Sequence, residues 1–333
     1  MSKSVAIFTY SLTGTTQHLA NTIAQELETV GGGQVFEKPE QYSLVDLFKQ
    51  QSTPEAAART TSSTIARSSV IGIGGLAWYW KEPPMVRDWI SQIPAHCLAG
   101  KPVFLFISAG SSAGKAFDRL EHEIALKGAY VVGTVTQVVG TSNFFMYTSK
   151  RLLISNTGFE AAHKEAHDLA EALAVWSKPS HPPVVKGPRD AVDDMVSGCK
   201  GFMMPITVDK SRCSKCLLCV KGCPANCIDV EDVGGYPRVD FAKCLACCRC
   251  MNRCPSRAIG PQGLVGTSHE FYGTFKPSQI QPGKTKEFIR PWQLLRSAIP
   301  TFVRMYPKKA LIVVISLLVG LFAMMFVLKK LLF

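Results

Sequence analysis

The sequence predicts an α/β protein: a doubly wound parallel sheet, then a small α+β domain built around cysteines, then a C-terminal transmembrane helix. Three observations carry this. Apolar strand runs alternate with helix-period segments as far as about Trp176. Eight cysteines stand in two matched runs of four between Cys213 and Cys254. Ala310–Leu328 is a run of 19 residues with no charge and no proline.

The elements follow in order. Val5–Tyr10 is a short apolar run ending in a polar loop, a first core strand. Thr15–Leu27 carries Leu19, Ile23 and Leu27 at helical spacing, one buried face. Residues 40–66 are polar, rich in Ser, Thr and Ala, and are expected to hold one strand edge. Ser69–Gly74 is the next strand, followed by a loop and a helix around Val86–Ile93. Val103–Ser108 is another, followed by glycines and a helix with Phe117, Leu120 and Ile124 on one side. Val131–Val139, rich in β-branched residues, reads as a later strand, and Phe159–Trp176 as a closing helix. Such alternation implies parallel pairing. This domain occupies residues 1–177. Residues 178–202 read as a linker, because the prolines at 179, 182, 183 and 188 keep the chain extended. The cysteine domain follows at 203–262, a basic segment at 263–309 and the membrane helix at 310–328.

At 47% hydrophobic, the 333 residues can bury real cores. All of the 12 cysteines but Cys97 lie between Cys199 and Cys254, so they do not staple the whole chain. Met1-Ser2-Lys3-Ser4 leads directly into the first strand without a signal-peptide pattern, so thiolate ligands in a reducing compartment are expected rather than disulfides. The formal net charge is +12. No nucleic-acid motif accompanies it, and no nucleic-acid partner is expected.

The two cysteine runs share one spacing. Cys213, Cys216, Cys219 and Cys223 precede Pro224; Cys244, Cys247, Cys250 and Cys254 precede Pro255. Each is C-x2-C-x2-C-x3-C-P, the pattern that holds paired [4Fe–4S] clusters. Three closely spaced thiolates wrap three corners of a cubane, and the fourth corner takes its ligand from elsewhere. In this pattern the fourth cysteine of each run serves the other cluster. One cluster then uses Cys213, Cys216, Cys219 and Cys254; the other uses Cys244, Cys247, Cys250 and Cys223. Two clusters with their thiolates would lower the net charge to about +8. A zinc site usually pairs C-x2-C elements into four ligands, which two runs of four do not match. The segment resembles the bacterial two-cluster ferredoxins over its whole length, including Ile228 and Ile259 after each run. Cys97, Cys199, Cys227 and Cys248 are left over and read as buried or tolerated thiols.

The first strand ends in Tyr10-Ser11-Leu12-Thr13-Gly14-Thr15-Thr16. A turn rich in Ser, Thr and Gly before a helix N-terminus suits a phosphate. It lacks the Gly-Lys-Ser/Thr of a Walker loop and the glycine spacing of a dinucleotide fingerprint. Ser11, Thr13, Gly14, Thr15 and Thr16 resemble the flavodoxin phosphate loop. The stretch Gly72 to Pro84, with Gly75, Trp78, Tyr79 and Trp80, resembles the flavodoxin loop that lays an aromatic ring beside the isoalloxazine. Ser108 to Gly114, with Gly110 and Ser111, resembles the second ring-binding loop, where close approach needs small residues. The aromatics at 78–80 could equally be core or interface residues, and the sequence does not choose among them. The resemblance spans residues 4–175 and implies bound FMN. Many flavodoxins are acidic, whereas this chain is basic.

Nineteen residues at about 1.5 Å each reach about 28 Å, enough to cross a bilayer core. Arg290, Arg296, Arg304, Lys308 and Lys309 lie upstream, against only Lys329 and Lys330 downstream, which places the N-terminal domains on the cytoplasmic side of a tail-anchored protein. The whole order resembles fused flavodoxin–ferredoxin proteins. That implies a membrane-tethered electron carrier, its clusters and FMN working with a redox protein partner or a quinone. Two other readings are a flavin-dependent reductase of a quinone, with Trp78, Tyr79, Phe144 and Phe145 lining its pocket, and a non-redox scaffold with structural clusters. His18 is expected on the surface, off the apolar face of the first helix.

Overall fold

A computed structural model describes residues 2–185 and 206–261, except for 52, 78–80, 110–112, 114, 139–155, 241–242, 245–246 and 248. The predicted membrane helix, the basic segment, Trp78, Tyr79, Gly110, Ser111, Phe144, Phe145, Cys199 and Cys248 lie outside the described residues. Among the described residues, no helix is long and apolar enough to cross a membrane.

The first domain runs β1 (Val5–Thr9), α1 (Thr15–Thr29), β2 (Glu40–Ser43), α2 (Leu44–Gln51), α3 (Pro54–Arg67), β3 (Val70–Leu76), α4 (Pro84–Gln92), α5 (Ala95–Leu98), β4 (Pro102–Ala109), α6 (Ala116–Leu126), β5 (Tyr130–Val138) and α7 (Asn156–Val175). The strands form one parallel sheet in the order β2-β1-β3-β4-β5. This is the flavodoxin-like order, and its direction reverses beside β1, between β1 and β3.

Alternate side chains feed two apolar layers. Val5, Ile7, Val70, Phe104, Phe106 and Val135 meet α1 and α7 on one face. Phe8, Ile71, Ile73, Val103, Leu105 and Ile107 meet the residues of α2 to α6 on the other. All eight residues of β4 are buried, as a central strand covered on both faces requires. Gly72 and Gly74 sit beside Phe104 and Phe106 in the register. A Cβ at Gly74 would stand 1.9 Å from the Phe106 ring, and one at Gly72 would stand 2.3 Å from the Phe104 ring. These glycines therefore make room for two core aromatics.

Residues 40–66 depart from expectation. The strand is present at the sheet edge, but two helices follow it. Their periodicity was hard to see because α3 buries Ala57, Ala58, Thr61, Thr64 and Ile65, mostly small or hydroxylated residues. Its start was legible. Thr53 Oγ1 accepts the Ala56 N–H at 3.1 Å, and Pro54 follows at the first helical position. His18 is half-buried rather than on the surface, with its ring 5.2 Å from Phe159 in an edge contact, because α7 covers that side of α1.

The second unit runs β6 (Ile206–Val208), α8 (Leu218–Gly222), β7 (Ile228–Val230), β8 (Pro237–Val239), α9 (Arg249–Arg253) and β9 (Ile259–Pro261). β6 pairs with β9 and β7 with β8, both antiparallel. The unit is a structural repeat. Cys213 and Cys244 each donate N–H to an aspartate carbonyl, of Asp209 and Asp240. Asn226 and Arg257 both have positive φ, at 46° and 52°. Each follows the fourth cysteine and proline of its run and turns the chain into β7 or β9.

Candidate functional site

The carboxyl end of the sheet holds the first site. Tyr10 N–H extends the ladder to Gly74 O at 2.8 Å, and the chain then turns. Gly14 caps α1 with φ 98°, a left-handed value that disfavours any side chain. Ser11 Oγ accepts the N–H groups of Gly14 and Gln17, each at 3.2 Å, and so shapes the loop from within. Thr13, Gly14 and Thr15 are half-buried around it. The N–H groups of Thr15 and Thr16 open the helix with no carbonyl four residues back inside it. Thr16 is buried, and its hydroxyl meets that of Ser108 at 2.7 Å, tying the start of α1 to the end of β4. Gly75, near the end of β3, lies under Pro83, where a Cβ would be 3.3 Å away.

Two residues at this edge were not singled out in the sequence. Thr9 ends β1 and Gln137 lies near the end of β5; both are buried, and Thr9 Oγ1 and Gln137 Oε1 have no partner among the described residues. Gln137 pairs with Ser108 in the strand register. Thr9 is the single polar residue of β1, whereas β5 carries Thr134 and Thr136 beside Gln137. Buried polar atoms left open beneath a helix N-terminus suit a polar ligand at the strand ends.

Glu82 lies in the loop between β3 and α4 and is 2% exposed. Arg87 at 3.5 Å and Arg119 at 3.6 Å face it. Burial pushes its carboxyl up, against the pull of a backbone hydrogen bond and the two cations.

The second site is the cysteine unit. Cys223, Cys244, Cys247 and Cys250 line one pocket with Ile206, Pro224, Ile228 and Val239. The fourth cysteine of the first run thus lies beside three cysteines of the second. On the other side, burial pushes the Cys219 thiol up to about 11, and Cys254 and Cys216 add to the rise as neighbouring charges. Cys213 and Cys219 are half-buried, Cys254 is buried and Cys216 is exposed. Among the described residues, no group of three or more His, Cys, Asp or Glu is placed to hold a metal ion.

The fourth cysteines also accept matched hydrogen bonds. Cys227 N–H reaches Cys223 Sγ at 3.5 Å, and Ala258 N–H reaches Cys254 Sγ at 3.2 Å. Cys227, one of the leftover thiols, is buried in the pocket with its Sγ 3.4 Å from that of Cys223. Hydrogen bonds with Cys223 and Cys244 push the Cys227 thiol up. Cys97, another, is buried in the sheet domain.

The two sites meet. Arg249, at the start of α9, donates from Nη1 to Ser11 O at 3.2 Å and to Leu12 O. Cys247 packs against the layer that contains Tyr10, Leu12 and Phe48. Burial, then the nearness of Cys247, pushes the Tyr10 phenol up. Burial pushes Arg249 down, as it does Lys49 of α2.

The strand order gives the first unit a flavodoxin-like fold. An oxidoreductase from Corynebacterium diphtheriae is 14% identical across 52% of this chain and 95% of its own, with a TM-score of 0.39. The apo form of the NADH:FMN oxidoreductase EmoB is 15% identical across 58% of this chain and 100% of its own, at 0.38. The flavodoxin of Megasphaera elsdenii is 22% identical across 51% and 98%, at 0.33. At such scores the fold assignment rests on the strand order, not on these likenesses. No protein-family model and no curated protein matches the chain.

Proposed function

We propose that this protein is a membrane-tethered electron carrier with FMN at the carboxyl end of its sheet and two [4Fe–4S] clusters on its crossed cysteines. The observation that carries the reading is the contact between the two sites. Cys247, which lines the pocket of the second cysteine set, packs against the domain whose loop would hold the flavin phosphate, and its neighbour Arg249 bonds that loop. The first set faces outward with Cys216 exposed. FMN supplies paired or single electron transfer and clusters supply single transfer, so the combination converts between the two.

The residues present suit both groups. The opening N–H groups of α1 and the hydroxyls of Thr13 and Thr15 would receive the phosphate. Thr9 and Gln137 offer buried polar atoms at the strand ends. Ile206, Ile228 and Val239 keep water from the inner cysteine pocket. Ala310–Leu328 would hold the assembly to a membrane, with the folded units on the cytoplasmic side. The partner is a redox protein or a quinone.

Anaerobic purification followed by metal, sulfide and flavin analysis tests this. The expected content is about eight iron, about eight sulfide and about one FMN per chain, as two cubanes and one flavin require. A colourless chain, or one carrying zinc, would refute it.

A further inference from the structure

We infer that Arg249 is a positioning residue of the phosphate loop, through which FMN binding and the seating of the second cysteine run strengthen one another. The inference rests on the flavin reading above.

The geometry is specific. The guanidinium lies on the carbonyl side of the loop, bonded to Ser11 O and Leu12 O. Each of those carbonyls shares a peptide plane with the next N–H, those of Leu12 and Thr13. A cation on the carbonyls polarises these groups and fixes their plane. An anion in the loop would gain from both effects, because hydrogen bonds with a charged partner are the stronger ones. Arg249 is partly buried, and its Nε is enclosed without a partner among the described residues. Burying a guanidinium is costly, so the contact is no incidental surface pairing. The cysteine repeat supplies a control. The residue matching Arg249 in the first run is Leu218, an apolar side chain that is 48% exposed. Elsewhere in this chain one cation serves several carbonyls in the same way. Lys101 Nζ donates to Ile65 O, Ala66 O and Ser68 O at 2.6, 2.5 and 2.8 Å.

Because the loop and α9 share this contact, thermodynamic linkage makes the effect reciprocal. Anything that holds α9 in place favours the anion, and the anion favours the docked α9.

The test uses the full chain, cluster-loaded and stripped of flavin, titrated anaerobically with FMN and with riboflavin by flavin fluorescence. Arg249→Gln is expected to weaken FMN about tenfold, the scale of one charge-assisted hydrogen bond, and to leave riboflavin within about twofold. Arg249→Lys should recover most of the FMN affinity. FMN should slow hydrogen exchange across residues 247–253 in the wild type and not in Arg249→Gln. Equal FMN affinity in wild type and Arg249→Gln, or an equal loss for FMN and riboflavin, overturns the inference and leaves the flavin reading standing. A wild type that takes up no FMN overturns both.

Discussion

The two folded units hold together by different means. The sheet domain is built from strands of four to nine residues with apolar layers on both faces. Among its described residues, the cysteine unit has four strands of three residues and two helices of five. Its buried core is Ile206, Cys223, Cys227, Ile228, Cys244, Met251, Cys254, Ala258 and Ile259. Nearly half of that core is thiol, and three of those thiols are predicted ligands. A unit this small buries little apolar surface against its chain entropy, so under the proposed reading the clusters would hold it together. The sheet domain, by contrast, should fold whether or not a cofactor is bound.

The largest expected effect tests that contrast directly. Anaerobic removal of iron with a chelator should abolish hydrogen-exchange protection across 206–261 while β1 and β3 to β5 stay protected. A cysteine unit that keeps its protection without metal would break the comparison. The next effect lies inside the sheet. Gly74→Ala drives a methyl into the fully buried Phe106 ring and should cost about 3 kcal/mol in chemical denaturation, the upper end for overpacking. Iron content should not change, because no cysteine ligand touches that layer.

A smaller effect is expected at the joint between α1 and β4. Thr16→Val removes the buried hydroxyl pair with Ser108 and should cost about 1 kcal/mol, again in the sheet domain alone. The smallest is a pH slope. Burial lowers the His18 pKa in the folded state, so the unfolded chain takes up that proton first. Its contribution is present above the unfolded value of about 6.5 and is lost as pH falls. His167 acts with opposite sign, since its hydrogen bond with Glu26 raises its pKa, but it is exposed and weak. His18→Gln should therefore lose less thermal stability than the wild type between about pH 7 and about pH 5. An unchanged slope would mean that burial by α7 does not govern His18.

Much of this was legible in one dimension. Strand runs such as Val103–Ser108 and the stripe of Leu19, Ile23 and Leu27 are repeated local patterns, and the structure keeps them with ends moved by a few residues. The helix α3 was not legible from periodicity, since alanines and threonines bury as well as leucines when neighbours approach closely. The loop from Ser11 to Thr16 announced itself by composition. Thr9 and Gln137 did not, because a polar residue in a strand gains meaning only from what stands beside it.

Residue spacing by itself determined the alternation of strand and helix and the matched cysteine runs, because both are set by short-range chain geometry. Only the tertiary structure decided that Thr16 answers Ser108 and that Arg249 reaches the loop after β1. Those pairs are 92 residues apart and, from Arg249 to Ser11, 238 residues apart, and contacts at such separations follow from how whole layers pack, not from the order of neighbouring residues.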